Sequence, residues 1–409
     1  MEQSSTVYTV THKSENLQKL FAFINYLALR SDAKAIVMDG FKPFEAELDK
    51  QVIEYNKYAH INYAETITCF FNTIGQSEMT EYNEVLQTSP YFVIVDKNIN
   101  TIAEHLQSLG LCFFKGQLNA GNNSGILIGG TDTNYKEPVK KLKVAALIHV
   151  YNEADIIEET INHLIGQGIF VHVIDNWSTD GSWEAVNSFP AEQVSSERFP
   201  PEGPTENYEW FKQLEHTEQL TRKMPFDWFI HYDADELRYS PWPNVSLQNA
   251  ISFIDSLGYN AIDFTILDFR YTKNNSFVTT NFENNIQWFE FGKRPGHFLQ
   301  VKGWKKNSSG VDLKSSGGHN AQFADRRIFP VKFLTKHYQL RSAEQARRKL
   351  IEQRLPRIQK EKSTKGCYCH IDMLIEQNNK GWDQTDLIQW LDSNIENCLV
   401  ERISGTGIL

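Results

Sequence analysis

Between Lys143 and Glu236 the chain alternates short apolar runs with amphipathic stretches, and each apolar run stops abruptly at a polar cluster. KVAALIHV (Lys143–Val150) leads into YNEADIIEETINHLIGQG, where Asn152 is placed to cap a helix with Asp155 three residues on and Gly168 to end it. FVHVIDN (Phe170–Asn176) leads into the turn STDGS and the short helical stretch WEAVNSF. DWFIHYDADE (Asp227–Glu236) follows the longer helical stretch Pro204–Met224 and ends in acid. Apolar runs of about 4–8 residues bounded by turn residues read as buried strands. Their alternation with helices predicts a parallel sheet with helices on both faces. Ligands of such sheets collect beyond the carboxyl ends of the strands. Three clusters fall at those ends: His149–Glu153, Asp175–Ser182 and His231–Glu236.

Residues 1–135 read as a separate, smaller α/β domain of unknown role. Val7–His12, Lys34–Gly40 and Tyr91–Asp96 have the look of buried strands, and Leu17–Arg30 carries apolar residues at helical spacing. Asn119–Pro138, rich in Gly, Asn and Thr, reads as a loop or linker. It holds neither GxGxxG nor a P-loop, so its glycines do not imply phosphate binding. The expected organisation is this domain, a catalytic α/β domain over 143–340 and a helical C-terminal extension over 341–409.

The 409 residues carry a formal net charge of −10, which argues against nucleic-acid partners, since these want a basic face. No apolar run approaches the roughly 20 residues of a spanning helix, and MEQSSTVY has no signal-peptide character. Five scattered cysteines suit a reducing compartment. Cys367, Cys369 and His370 are spaced too tightly for a zinc pair, and no second pair follows. The expectation is a cytoplasmic protein, either free or in peripheral contact with the inner membrane face.

Asp233 and Asp235, at i and i+2 as a strand leaves the core, form a DxD pair. Two converging carboxylates repel, and a hard divalent cation is the usual reason to hold them together. Such a cation can bridge a nucleotide's phosphates and stabilise charge on a leaving diphosphate. A lone DxD is weak evidence, and DNWSTDGS (Asp175–Ser182) taken alone is better explained by a turn and helix cap.

Taken together, HVYNEADIIEETINHLIGQG, VIDNWSTDGS, FIHYDADE, SSGGHN (Ser315–Asn320) and KHYQLRSAEQARRK (Lys336–Lys349) resemble the successive motifs of family 2 glycosyltransferases. The match is to a bacterial branch with the order HNE, DNxSxDG, DxDE, GGH and HY…RSxEQ, and it covers about half the chain. The resemblance implies a Rossmann-like GT-A fold, a nucleotide-sugar donor, a carbohydrate or lipid-linked acceptor, and bound Mn²⁺ or Mg²⁺. It implies inverting transfer of a hexosyl-type group to a hydroxyl, with surface polysaccharide or lipopolysaccharide assembly as the setting.

Carried over residue by residue, the resemblance puts Tyr151, Asn152 and Glu153 beside the nucleotide, with Asp175 at the base and Asp180 at the ribose or shaping the turn. Asp233 and Asp235 would hold the metal, Asp235 more directly and also in a catalytic role, with His337 as a third ligand. His319 would touch the donor phosphates or line the acceptor pocket. The base that deprotonates the acceptor is open among Glu236, Glu290, Asp325 and His319, because no further family motif marks it. Trp242, Trp288 and Trp304 could stack on sugars or simply be buried. Arg341, Arg347, Arg348 and Lys349 could meet a diphosphate or an anionic acceptor, or form a solvated helix face. Two rivals stand beside this reading: a sugar nucleotidyltransferase, weakened by the missing glycine-rich loop, and a catalytically silent nucleotide- or sugar-binding module.

Overall fold

The computed structural model describes residues 35–39, 51–54, 66–71, 79–118, 124–273, 281–291, 300–358 and 369–390, together with 24 and 363. The expected strand Val7–His12, nearly all of the helix Leu17–Arg30, and Cys367 lie outside the described residues. Two compact units are present, one within the first 134 residues and one over Tyr135–Asn394. No described helix is long and apolar enough to cross a membrane.

The first unit holds a six-stranded sheet of β1 (Ala35–Asp39), β2 (Gln51–Glu54), β3 (Thr66–Phe71), β4 (Tyr91–Asp96), β5 (Phe113–Leu118) and β6 (Ser124–Gly129), in the order β2-β1-β3-β4-β6-β5. β2, β1, β3 and β4 run parallel, while β6 lies antiparallel to both β4 and β5. Helices α1 (Asn83–Thr88) and α2 (Ile99–Ser108) contribute Val85, Leu86, Ile102 and Leu106 to a core with Phe70, Phe92 and Leu127. The expected linker Asn119–Pro138 is corrected here, because its GILI run forms β6. Gly125 and Gly129 in it serve packing, since a Cβ there would collide with Ile99 and the Phe92 ring respectively.

The second unit is built on a ten-stranded mixed sheet. β7 (Val144–Val150), β8 (Phe170–Asp175), β9 (Val194–Arg198) and β10 (Trp228–Asp233) are joined through α3 (Ile157–Gly166), α4 (Ser182–Val186) and α5 (Trp210–Lys223). β11 (Glu236–Tyr239), α6 (Leu247–Ser256), β12 (Ala261–Arg270), β13 (Trp288–Phe291), β14 (Val301–Lys305), β15 (Phe333–Leu340) and β16 (Ile388–Gln389) follow. The main path is β11-β15-β12-β14-β10-β7-β8-β9, and β13 pairs with β12 and β16. β9, β8, β7 and β10 are parallel, as their spacing predicts. The expectation of a wholly parallel sheet is corrected by β14, antiparallel to both β10 and β12. Two reversals restore direction, and β12 pairs parallel with β15. The carboxyl ends of β7, β8, β10, β12 and β15 therefore open on one edge.

Helix α3 buries Ile157, Thr160, Ile161 and Leu164, spaced three or four apart so that they share one face. Gly168, with φ of 75°, ends it as expected. The expected cap is corrected: Asn152 adopts φ of 56°, five residues ahead of the helix. Its side-chain oxygen accepts instead from Thr179 N–H at 2.8 Å.

Behind the site edge, Trp304 on β14 is buried with Phe229, Leu147, Ala145 and Leu214. Trp304→Ala is expected to destabilise the second unit by about 3–5 kcal/mol, the usual range for emptying a large aromatic site. Urea unfolding followed by circular dichroism would test this, and a loss below about 1 kcal/mol would show that this core is not the close-packed one described.

Candidate functional site

The polar clusters converge where the strands end. Tyr151 and Glu153 follow β7, Asp233 closes β10 and Asp235 lies in the turn beyond it. His337 and Gln339 belong to β15. These residues line a cavity of about 400 Å³, together with His149, Tyr208, Trp210, His319, Arg354 and Arg357. Tyr208 and Trp210 come from the entry to α5, His319 and Gly317 from the GGH loop, and Arg354 and Arg357 from the C-terminal helical segment. That segment begins as α7 (Ala343–Arg347), widens into a π-helix over Arg348–Arg354 and continues helically through 355–358. It packs on Tyr271, Leu340, Ile371 and Trp382.

The carboxylates of the site are held by buried side-chain cations. Lys302 Nζ donates to Asp233 Oδ2 at 2.7 Å and reaches Glu236 Oε1 at 3.4 Å. Glu236 also pairs with the fully buried Arg238. Lys349 Nζ lies 2.7 Å from Asp235 Oδ2 and 2.5 Å from Glu153 Oε1. Arg341 donates to Glu153 Oε2 at 2.7 Å and to both oxygens of Asp155 at 2.8 and 2.9 Å. Burial opposes ionisation of Asp235, but Lys349 and His337 outweigh it and hold the carboxyl well below its usual range. Asp233 follows the same pattern, burial being overcome chiefly by Lys302. On β15, His337 Nδ1 donates to Asp268 Oδ1 at 2.7 Å, and Nε2 faces Asp235 at 3.6 Å. Burial disfavours its charge, yet Asp235 and Asp268 together raise its pKa to about 9. Arg270 secures Asp268 from behind at 3.1 Å.

The lining also includes the rings of His149 and Trp210, backed by His231. His149 Nδ1 lies 3.1 Å from Gln213 Oε1, and its Nε2 lies 3.0 Å from Thr217 Oγ1. Its ring meets His231 and Trp210 edge-on at 5.3 and 5.0 Å. Burial pushes His149 down to about 4 and His231 well below its ordinary value. Trp210 stacks on Tyr208 and donates to Gly317 O at 3.0 Å, which pins the GGH loop. A methyl on Gly318 would sit 2.9 Å from His231 Nε2, so the loop approaches as closely as only glycine allows. His319 completes this side, its Nδ1 3.0 Å from Gln300 Nε2.

Of the residues singled out from the sequence, Tyr151, Glu153, Asp233, Asp235, His319 and His337 meet at one cavity. Asn152, Asp175 and Asp180 do not line it. Asp180 accepts from Ala154 N–H, Ser182 N–H and the Ser182 hydroxyl, so it shapes the turn. Asp175 is buried under that turn, accepts from Ser178 N–H at 3.1 Å and lies 3.5 Å from Arg198. Burial raises its pKa despite both partners. Glu290 does not line the cavity and pairs with Arg270 at 3.1 Å. Asp325 is exposed on a turn, with φ of 55°, away from the cavity. Neither is placed to take a proton from a molecule in the cavity, and Glu236 is occupied by Lys302 and Arg238. Trp242 and Trp304 are buried in apolar clusters, and Trp288 lies on β13, so none faces the site. Arg347 pairs with Glu352 on the exposed surface, whereas Arg341 and Lys349 are buried, so the solvated-face reading fails for them. Sequence reasoning missed Lys302, Tyr208, Trp210, Arg354 and Arg357. The two arginines stood inside the basic stretch, but for Lys302 the sequence carries no signal.

The expected divalent cation does not fit this arrangement. Asp233 and Asp235 each hold an ammonium group at 2.7 Å. No group of three or more His, Cys, Asp or Glu side chains among the described residues is arranged to hold a metal ion.

No family model matches the chain, and no curated protein matches it. Among solved structures, one similar chain is phosphoethanolamine N-methyltransferase 2 of Haemonchus contortus, in complex with phosphomonomethylethanolamine and S-adenosylhomocysteine. It is 10% identical with a TM-score of 0.22, over 60% of this chain and 79% of that one. That structure is of a methyltransferase rather than a glycosyltransferase, and at this TM-score it lends this chain no activity. The expected function, metal-dependent transfer of a sugar to a hydroxyl, is corrected on the site itself, because the carboxylates meant for the metal are engaged by lysines.

The buried histidines set an acid response. His149, His231 and, also through burial, His163 have depressed pKa values in the folded chain. Below the ordinary value of 6.5 the unfolded chain therefore binds protons that the native chain does not. Stability falls as pH drops from 6.5 toward 4, by up to about 1.4 kcal/mol per pH unit for each histidine. Urea midpoints measured down to about pH 5 should decline, and His231→Gln should flatten the decline. A midpoint constant over that window would refute the assignment.

Proposed function

We propose that Tyr135–Asn394 is an enzyme of the GT-A type of α/β fold whose cavity binds a nucleoside diphosphate. The observation that carries this reading is the position of the cavity. Numbered within the second unit, β9-β8-β7-β10 is the order third, second, first, fourth. Nucleotide-binding doubly wound sheets begin with this order, and their ligands lie where the order reverses, beside the first strand. Here the reversal falls between β7 and β10, and Tyr151, Glu153, Asp233 and Asp235 from the ends of those two strands line the cavity.

The chemistry of the walls supports the same reading. Tyr151, Tyr208 and Trp210 offer flat faces for a base or ribose, while Arg354 and Arg357 offer positive charge for phosphates. The kinship proposed with family 2 enzymes is one of fold and nucleotide site. His337 is held by Asp268 with Nε2 directed toward Asp235, so a reacting group beside it would meet a positioned imidazolium.

Calorimetric titration of the full chain with UDP, GDP, CDP and ADP tests the proposal. One base is expected to be preferred, with a dissociation constant between about 1 μM and 1 mM. Tyr151→Ala should weaken binding about tenfold by removing the ring beneath Arg357. If none of the four binds at about 5 mM, the nucleotide reading is wrong.

A further inference from the structure

We propose that Arg354 and Arg357 form the diphosphate subsite of this cavity, and that side-chain cations neutralise the ligand there without a divalent metal. This rests on the nucleoside-diphosphate reading above and names how that ligand would be held.

The first observation is where the lysines stand. Lys302 and Lys349 are buried, each 2.7 Å from one carboxylate of the DxD pair. A divalent cation at those oxygens would face two ammonium groups, or would leave Lys302 with Glu236 alone and Lys349 with Glu153 as its carboxylate. Either is costly, since like charges repel at close range where both lysines are almost wholly shielded from water. The role expected of the metal, reconciling the two carboxylates, is performed by protein cations.

The second observation is the supply of charge facing the cavity. Arg354 and Arg357 stand three apart on the helical segment, hence on one face, and both line the cavity. Glu153 already has Lys349 at 2.5 Å and Arg341 at 2.7 Å, so Arg354, at 3.9 Å, is its most distant cation. The π-helix accounts for this stacking. Its i→i+5 geometry brings Lys349 and Arg354 onto the same side, both toward Glu153 Oε1.

The third observation is the pose of Arg357. Its guanidinium lies 4.0 Å over the Tyr151 ring, and Nη2 donates to Asn176 Oδ1 at 2.7 Å and to Thr205 O at 3.3 Å. Nη1 is shielded from solvent and has no hydrogen-bond partner among the described residues. A planar fork fixed on one side with a donor left over suits a phosphate oxygen.

The test uses the full chain and three probes: inorganic diphosphate, the nucleoside diphosphate preferred in the panel above, and its monophosphate. Each is titrated calorimetrically with EDTA present and again with excess Mn²⁺. The diphosphates should bind within about twofold under both conditions, and the monophosphate about tenfold more weakly. Arg354→Gln and Arg357→Gln should each weaken the diphosphates about tenfold, while circular dichroism confirms that the variants fold. Diphosphate binding that appears only with Mn²⁺ would overturn the proposal, and this arm needs no variant. Undiminished affinity in both arginine variants would overturn it equally. Inorganic diphosphate bound through these arginines while no nucleotide binds would uphold the subsite and fail the nucleotide reading instead.

Discussion

The site depends on one buried arrangement of charge, in which Arg341 and Lys349 gather Glu153, Asp155 and Asp235. Glu153 and Arg341 are 188 residues apart in the chain, so this cluster ties the end of β7 to the segment that follows β15. Taking charges out of water is expensive, and ion pairs of this kind add little net stability over apolar packing. They act through position: removing one partner leaves an uncompensated charge, so the elements that carry them have few alternative placements. The helical segment after Ser342 is thereby held against the strand ends and becomes a wall of the cavity.

A second constraint works on the other side. His149, His231 and Trp210 pack edge to edge, and burial keeps both imidazoles neutral. The Trp210 indole holds the GGH loop through Gly317 O, and Gly318 approaches His231 too closely for any side chain. The cavity thus combines acids and bases with aromatic rings. Such a lining suits a ligand with a flat apolar part and an anionic part.

Much of the local structure was legible because burial is periodic. The fully apolar run of β7, the acid closing β10 and the three-and-four spacing in α3 follow directly from which residues avoid water. Residues at strand ends were legible for the same reason, so Tyr151, Glu153, Asp233 and Asp235 meet at one cavity. Errors arose where a polar residue had two uses. Asn152 looked like a helix cap but bonds across to Thr179, and of the two uses open to Asp180, ribose contact or turn, it takes the turn. The tryptophans could not be sorted at all, since Trp304 and Trp210 differ in surroundings and not in chemistry.

The sequence by itself determined the strand–helix alternation, the strand ends at which a site can form and the acids found there, because these depend on short-range pattern. Only the tertiary structure decided what those acids do. Lys302 arrives on β14, a strand running against its neighbours, and Lys349 arrives on a helix 114 residues beyond Asp235. A carboxylate pair reads as a metal site until its counter-ions are known. Which cation neutralises it is a matter of distance in space, and no spacing along the chain encodes that.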